Sequence, residues 1–126
     1  MGSLILPSQG SVYLDANCII YSYERVEPYR TQLEPLWDAV DQHLLTIITS
    51  ELTLLEVLVR PLRTQNVALE AGFRRMLASS DLRLVPVSSA VLERAAHLRA
   101  AIATLKTPDA IHAATALEWG CNLTPN

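Results

Sequence analysis

Four short apolar segments separated by helical segments constrain the fold more than any other feature of the sequence. They cover residues 12–14, 44–48, 82–87 and 121–124. The first three are rich in β-branched and other apolar side chains, which are typical of buried strands. Strands that alternate with helices predict an α/β sandwich with a mainly parallel sheet. In such a sheet, ligands bind at the carboxyl ends of the strands.

The segments between the predicted strands carry apolar residues at helical spacing. They predict helices over residues 17–25, 28–40, 50–61, 67–78, 90–105 and 107–120. Ser50 is expected to cap the third helix, which should stop or kink at Pro61 because proline cannot donate a backbone hydrogen bond. Ser88 or Ser89 is expected to cap the fifth.

Composition indicates one globular domain spanning residues 1–126, since half the residues are hydrophobic and only 18% are charged. Its most apolar stretch, residues 44–59, is too short for a membrane span of about 20 apolar residues. Without a membrane helix or a secretory signal at the start, the expected compartment is the cytoplasm. Cys18 and Cys121 are far apart in apolar segments, which predicts two buried free thiols.

Three acidic residues stand where this fold would bring them to one edge of the sheet. Asp15 ends the first strand, Glu56 lies in the second turn of the helix after the second strand, and Asp109 opens the last helix. Each has an ordinary alternative role: a turn or helix cap for Asp15, an exposed helix flank for Glu56, and dipole complementation for Asp109.

Carboxylates that cluster repel one another unless a cation neutralises them. Oxygen ligands without a cysteine or histidine motif point to Mg²⁺ or Mn²⁺, which bind few carboxylates together with waters and substrate phosphates. The chemistry that this site would support is metal-assisted hydrolysis of a phosphodiester. Because the net charge is −3, any contact with RNA should be local.

Four segments resemble the PIN domain family and, within it, the VapC toxins of bacterial and archaeal toxin–antitoxin pairs. The third is the most specific, because its amino-acid sequence is close to the motif that is usual in the family. The segments are Val12-Tyr13-Leu14-Asp15-Ala16-Asn17, Ser50-Glu51-Leu52-Thr53-Leu54-Leu55-Glu56-Val57, Thr107-Pro108-Asp109-Ala110-Ile111-His112-Ala113-Ala114-Thr115-Ala116, and Cys121-Asn122-Leu123-Thr124-Pro125-Asn126.

The resemblance implies a PIN-like three-layer α/β/α sandwich with a short, mainly parallel sheet. It further implies an endoribonuclease that uses Mg²⁺ or Mn²⁺, forms a homodimer and is inhibited by a cognate antitoxin. Asp15, Glu56 and Asp109 match three of the family's catalytic, metal-binding acids.

The chain departs from the family pattern at its last residues. Family members place an aspartate after the fourth strand and commonly continue through further elements, whereas Asn126 stands at that position here. An amide oxygen can bind a metal but brings no charge, which predicts a weaker site. The alternative function is therefore a catalytically impaired PIN-like module that binds an antitoxin or another protein subunit.

A few other side chains are candidates for contact with the substrate. Asn17 could orient a bound water, or it could cap the first helix. Arg60 and Arg63, with Arg74 and Arg75, form the only basic concentration along the chain. They could bind phosphates, but a solvated surface or contact with the acidic N-terminal half is the favoured interpretation. For His112, a packed and hydrogen-bonded core histidine is the favoured interpretation.

Overall fold

Helices and strands alternate along residues 10–123, the part of the chain that this computed structural model describes, with the last two residues described by their backbone only. The strands are β1 (Gly10–Tyr13), β2 (Leu45–Ser50), β3 (Leu82–Val85) and β4 (Asn122–Leu123). The helices are α1 (Ala16–Tyr23), α2 (Tyr29–Asp41), α3 (Glu51–Arg63), α4 (Val67–Leu77), α5 (Ser89–Ala101) and α6 (Thr107–Glu118). The predicted alternation is confirmed.

The strands form one sheet in the order β3-β2-β1-β4, and every neighbouring pair is parallel. β1 lies inside this sheet, with Val12 opposite Ile47 of β2 on one side and Asn122 of β4 on the other. The carboxyl ends of parallel strands meet at one edge of a sheet. The residues that follow β1 and β2 therefore lie at the same edge.

Apolar residues cover both faces of the sheet because side chains alternate along each strand. Val12, Leu14 and Ile47 belong to the main core, which they form with residues of α1, α2, α3 and α4. Tyr13 and Ile48 face the other way and pack with Val85 and with Ala116 of α6. A separate cluster joins α5 to α6. The predicted α/β sandwich with a short parallel sheet is confirmed.

Helix boundaries follow the capping signals closely. The Ser50 hydroxyl accepts a hydrogen bond from the Leu52 amide at 3.0 Å, and that of Ser88 accepts one from the Val91 amide at 3.2 Å. A stop or a kink was predicted at Pro61, and the stop is wrong, because the helix continues to Arg63. Pro61 lies in its last turn, where the missing amide removes a single hydrogen bond, and the ring is buried in the fold.

The fifth helix is shorter than predicted. It ends at Ala101 and not near residue 105, because Ile102 leaves helical geometry with φ −123° and ψ 97°.

Cys18 is buried as predicted, but Cys121 is only half-buried, and both are free thiols. Partial burial raises the pKa of the Cys121 thiol. None of the helices described is long and apolar enough to cross a membrane.

Candidate functional site

Asp15 lies at the carboxyl edge of the sheet, two residues after β1, and is the N-cap of α1. Its Oδ1 accepts a hydrogen bond from the Cys18 amide at 3.1 Å. The cap is therefore Asp15 and not Asn17, which is exposed in the first turn of the helix. The expectation that Asn17 caps this helix is wrong, because Asp15 has the extended backbone of an N-cap residue.

Glu56 and His112 are joined by a hydrogen bond between α3 and α6. The Oε1 atom of Glu56 lies 2.6 Å from Nε2 of His112. Glu56 is half-buried, with 28% of its side chain exposed, so it is not the freely exposed flank that the alternative interpretation described. His112 is buried, and it is a packed and hydrogen-bonded histidine as favoured from the sequence.

The other ring nitrogen of His112 contacts β1. Its Nδ1 atom lies 2.5 Å from the Tyr13 hydroxyl, and the two rings are tilted by 59°. Tyr13 is almost fully buried, and its burial raises the pKa of the phenol well above its ordinary value. The negative charge of Asp15 makes the smallest contribution to this rise in the pKa of Tyr13. The chain of contacts thus runs from Glu56 through His112 to Tyr13, two residues before Asp15.

The hydroxyl groups around Tyr13 belong to the same buried polar cluster. The Ser50 backbone and the Thr49 and Thr115 side chains partly oppose the rise in the pKa of Tyr13. The Thr49 hydroxyl donates its hydrogen to the Leu14 carbonyl at 2.6 Å, and the Thr115 hydroxyl donates its own to the Ile111 carbonyl at 2.6 Å. The polar cluster therefore connects the ends of β1 and β2 with α6.

Stability should fall at alkaline pH because of Tyr13. A raised pKa in the fold means that the neutral phenol stabilises the protein fully below the unfolded-state pKa, about 10, and that this contribution is lost as the pH rises above it. In the Tyr13→Phe variant, the free energy of unfolding should fall less steeply with rising pH than in the wild type. Urea denaturation between about pH 8 and pH 11 measures this slope. Tyr29→Phe, at an exposed tyrosine, is the matched control and should leave the decline unchanged.

Asp109 occupies the first turn of α6, where its charge complements the helix dipole. It is exposed and lies one turn before His112 on the same helix. The sequence predicted this location at the start of the last helix, and the structure confirms it. Glu56 is in direct contact with His112. For Glu56 and Asp109, the contact given is the packing of their two helices, α3 and α6, against each other.

The side chains of residues 10–121 include no group of three or more histidine, cysteine, aspartate or glutamate residues arranged to hold a metal ion. The assignment of a metal site to Asp15, Glu56 and Asp109 therefore stays a prediction. Their oxygen donors match the chemistry of Mg²⁺, which binds one or two carboxylates and completes its shell with waters and phosphates. Asn126, the fourth predicted ligand, lies outside the described residues.

The arginines of α3 and α4 are partly paired with acidic side chains. Arg60 forms an ion pair with Glu24, the residue after α1, which agrees with the favoured contact with the acidic N-terminal half. Arg74 pairs with Glu70 one turn away at 2.9 Å. Arg63 is exposed in the last turn of α3. Contact of Arg60 or Arg63 with RNA stays a prediction.

The sequence did not predict the roles of two residues in this site, Tyr13 and Thr49. Tyr13 belongs to residues 12–14, which were predicted to be a buried strand, and it is buried, but its hydrogen bond to His112 was not foreseen. Thr49 was not considered. Strand alternation places Tyr13 and Ile48 on one face, and this signal would have found the contact once α6 was known to cover that face.

Comparison with known proteins agrees with this fold. The family model of the PIN domain matches residues 12–124. No curated protein is a significant match to the sequence.

Three solved structures illustrate the similarity. VapBC2 from Rickettsia felis, bound to a DNA fragment from its promoter, has a TM-score of 0.69 and 16% identity, covering 91% of this chain and 86% of that one. A toxin–antitoxin complex from Klebsiella pneumoniae has a TM-score of 0.64 and 26% identity, covering 90% and 82%. FitAcB from Neisseria gonorrhoeae has a TM-score of 0.66 and 19% identity, covering 89% and 84%. The first and third of these support the fold alone.

Proposed function

The chain belongs to the PIN domain family, and from that premise we propose that it is a metal-dependent endoribonuclease, the toxin of a toxin–antitoxin pair. The observation that carries this proposal is the chain of contacts that joins Glu56 to His112 and His112 to Tyr13, the last residue of β1. It connects one predicted catalytic acid to the end of the strand that Asp15 follows, at the edge of the sheet where α/β proteins bind their ligands.

In this proposal Asp15, Glu56 and Asp109 would hold the cation, and the cation would bind the scissile phosphate. Mg²⁺ or Mn²⁺, when bound, lowers the pKa of a coordinated water and offsets negative charge on the phosphate and the leaving oxygen. Asp15 is restrained by its capping hydrogen bond to the Cys18 amide, and Glu56 by its hydrogen bond to His112. Asp109 presents its carboxylate from the exposed start of α6.

RNA contact would be confined to the surroundings of this site, since the chain carries a net charge of −3. Arg63 is the better candidate of the two arginines on α3, because the Arg60 guanidinium is already paired with Glu24. Asn17 is exposed one turn from Asp15 and is available for a contact with the sugar-phosphate backbone.

The partners belong to the same proposal. The solved structures similar to this chain include a toxin–antitoxin complex 26% identical to it. By analogy, we infer that a cognate antitoxin binds this protein and blocks cleavage, that the toxin acts as a homodimer, and that both work in the cytoplasm.

A second candidate function is a PIN-like module that binds a protein partner without cleaving RNA. It is favoured by the exposed apolar side chains of α3, where Leu55, Val59 and Leu62 lie on one side of the helix. Such a stripe is typical of a surface that another protein covers. Asn126 in place of an aspartate also favours it, since an amide brings no charge to a metal site.

Cleavage of labelled RNA by the purified protein tests the two candidates. We expect cleavage with Mg²⁺ or Mn²⁺ and none with excess chelator, because the proposed mechanism depends on the bound cation. The products are resolved on denaturing gels over time. Cleavage that persists in chelator would contradict the metal-dependent mechanism, and intact RNA in every metal condition would favour the binding module.

A further inference from the structure

His112 connects three elements of the fold through one buried ring. The residue lies on α6, its Nδ1 atom contacts Tyr13 at the end of β1, and its Nε2 atom contacts Glu56 on α3. Only 7% of its surface is exposed. A histidine with both ring nitrogens engaged and almost no access to solvent has little freedom to rotate. Its orientation is therefore set by the fold.

The two contacts of His112 have complementary hydrogen-bonding roles. A phenol ordinarily ionises near pH 10, so at neutral pH the Tyr13 hydroxyl carries a proton that it can donate to Nδ1. An imidazole that accepts this hydrogen bond on Nδ1 carries its own hydrogen on Nε2 and can donate it to Oε1 of Glu56. This single tautomer satisfies both partners, and the hydrogen bonds run in one direction from Tyr13 to Glu56.

Building on the function proposed above, we propose that His112 is a positioning residue that holds the Glu56 carboxylate for the cation. Oε1 accepts the hydrogen bond from the histidine, which would leave Oε2 to bind the cation. Tyr13 acts one step further away, by holding the imidazole in the orientation that faces Glu56.

The need for such a positioning residue follows from the exposure of Glu56. Its side chain is 28% exposed, and glutamate is among the side chains with the largest rotamer entropy. Without a hydrogen-bond partner the carboxylate would sample several rotamers and lose that freedom when it binds a cation. Hydrogen bonds to metal-binding carboxylates typically improve metal affinity about 10- to 100-fold.

Calorimetric titration of the whole protein with Mn²⁺ tests this role apart from catalysis. His112→Leu removes both hydrogen bonds, and His112→Asn places an amide near the position of Nδ1 that is too short to reach Glu56. We expect both variants to raise the dissociation constant for Mn²⁺ by about 10- to 100-fold. His112→Gln places an amide donor near the position of Nε2 and should bind Mn²⁺ nearly as well as the wild type.

Phe73→Leu is the matched control for loss of stability. Phe73 is buried in the main core on α4, on the opposite face of the sheet from His112. Thermal melts in chelator identify the variants that remain folded and measure how much each is destabilised. A merely structural role of His112 predicts that Phe73→Leu and His112→Leu change Mn²⁺ affinity equally for an equal loss of stability.

The outcomes separate this proposal from the function on which it rests. If the wild type binds Mn²⁺ and cleaves RNA while His112→Leu and His112→Asn bind Mn²⁺ equally well, the positioning role alone is wrong. A His112→Gln variant as weak as His112→Leu would also overturn it, since the donor to Glu56 would then have no effect. If the wild type neither binds Mn²⁺ nor cleaves RNA, the proposed function fails and the positioning role fails with it.

Discussion

RNA cleavage by the Asp15→Asn variant is expected to fall by about 100-fold or more, because a bound cation contributes several kcal/mol of transition-state stabilisation and about 1.4 kcal/mol is tenfold in rate. The substitution removes the charge while preserving the helix cap, because asparagine and aspartate are equally good N-cap residues. The hydrogen bond from the Cys18 amide can therefore persist, and the fold should be retained. Initial rates with labelled RNA and Mn²⁺ measure the effect, and circular dichroism checks folding.

Glu51→Gln is the matched control for this experiment. Glu51 is an exposed acid in the first turn of α3, one turn before Glu56, and its charge complements the helix dipole. Its substitution should leave the rate unchanged. Equal cleavage by the wild type, Asp15→Asn and Asp109→Asn would instead identify a contaminating nuclease and remove the carboxylate hypothesis.

Phe73→Ala should lower the free energy of unfolding by about 3–5 kcal/mol, the usual cost of truncating a buried aromatic residue. Phe73 is 1% exposed on α4, and its ring lies 5.0 Å from that of Tyr23 on α1. The substitution would leave a cavity in the main core between these helices. Because small domains are stable by only about 5–15 kcal/mol, the variant should be close to unfolding. Urea denaturation followed by circular dichroism measures the change.

Leu55→Ala provides the comparison for Phe73→Ala, because it also truncates a large apolar side chain on a helix. Leu55 is 61% exposed on α3, so its removal should change the free energy of unfolding by less than about 0.5 kcal/mol. Similar losses for the two variants would mean that Leu55 is covered in solution, for example by another subunit. A small loss for Phe73→Ala would contradict the core described here.

The order of elements was largely predictable because apolar periodicity and capping serines are local signals. Ser50 and Ser88 cap the helices that the sequence assigned to them. The errors arose where tertiary context outweighed the local signal. Pro61 was expected to end α3, yet it is accommodated in the last turn. Asn17 and Asp15 are both good capping residues two positions apart, and the sequence alone did not decide between them.

The positions of the individual candidate acids in the fold were predictable, whereas the hydrogen bonds that join the candidate residues to one another were not. Asp15, Glu56 and Asp109 were located by their positions at strand ends and helix starts, which the element order determines. The link between Glu56 and His112 joins two helices far apart in the chain, so no spacing rule reveals it. It depends on how α6 packs against α3 and on the face of β1 that Tyr13 occupies. Both are properties of the assembled sheet.

The position of β1 inside the sheet also bears on how the protein is made. One neighbour of β1 is β2, but the other is β4, at the far end of the described chain. During synthesis on the ribosome, β1 can pair on one side early, whereas its second edge stays open until residues 122–123 have emerged. Pairing between such distant segments is slow, because a long loop must close before the contact forms. A chain interrupted before residue 122 would therefore leave β1, and with it Tyr13, at an unfinished edge of the sheet, and the candidate site would form only after residues 122–123 had been added.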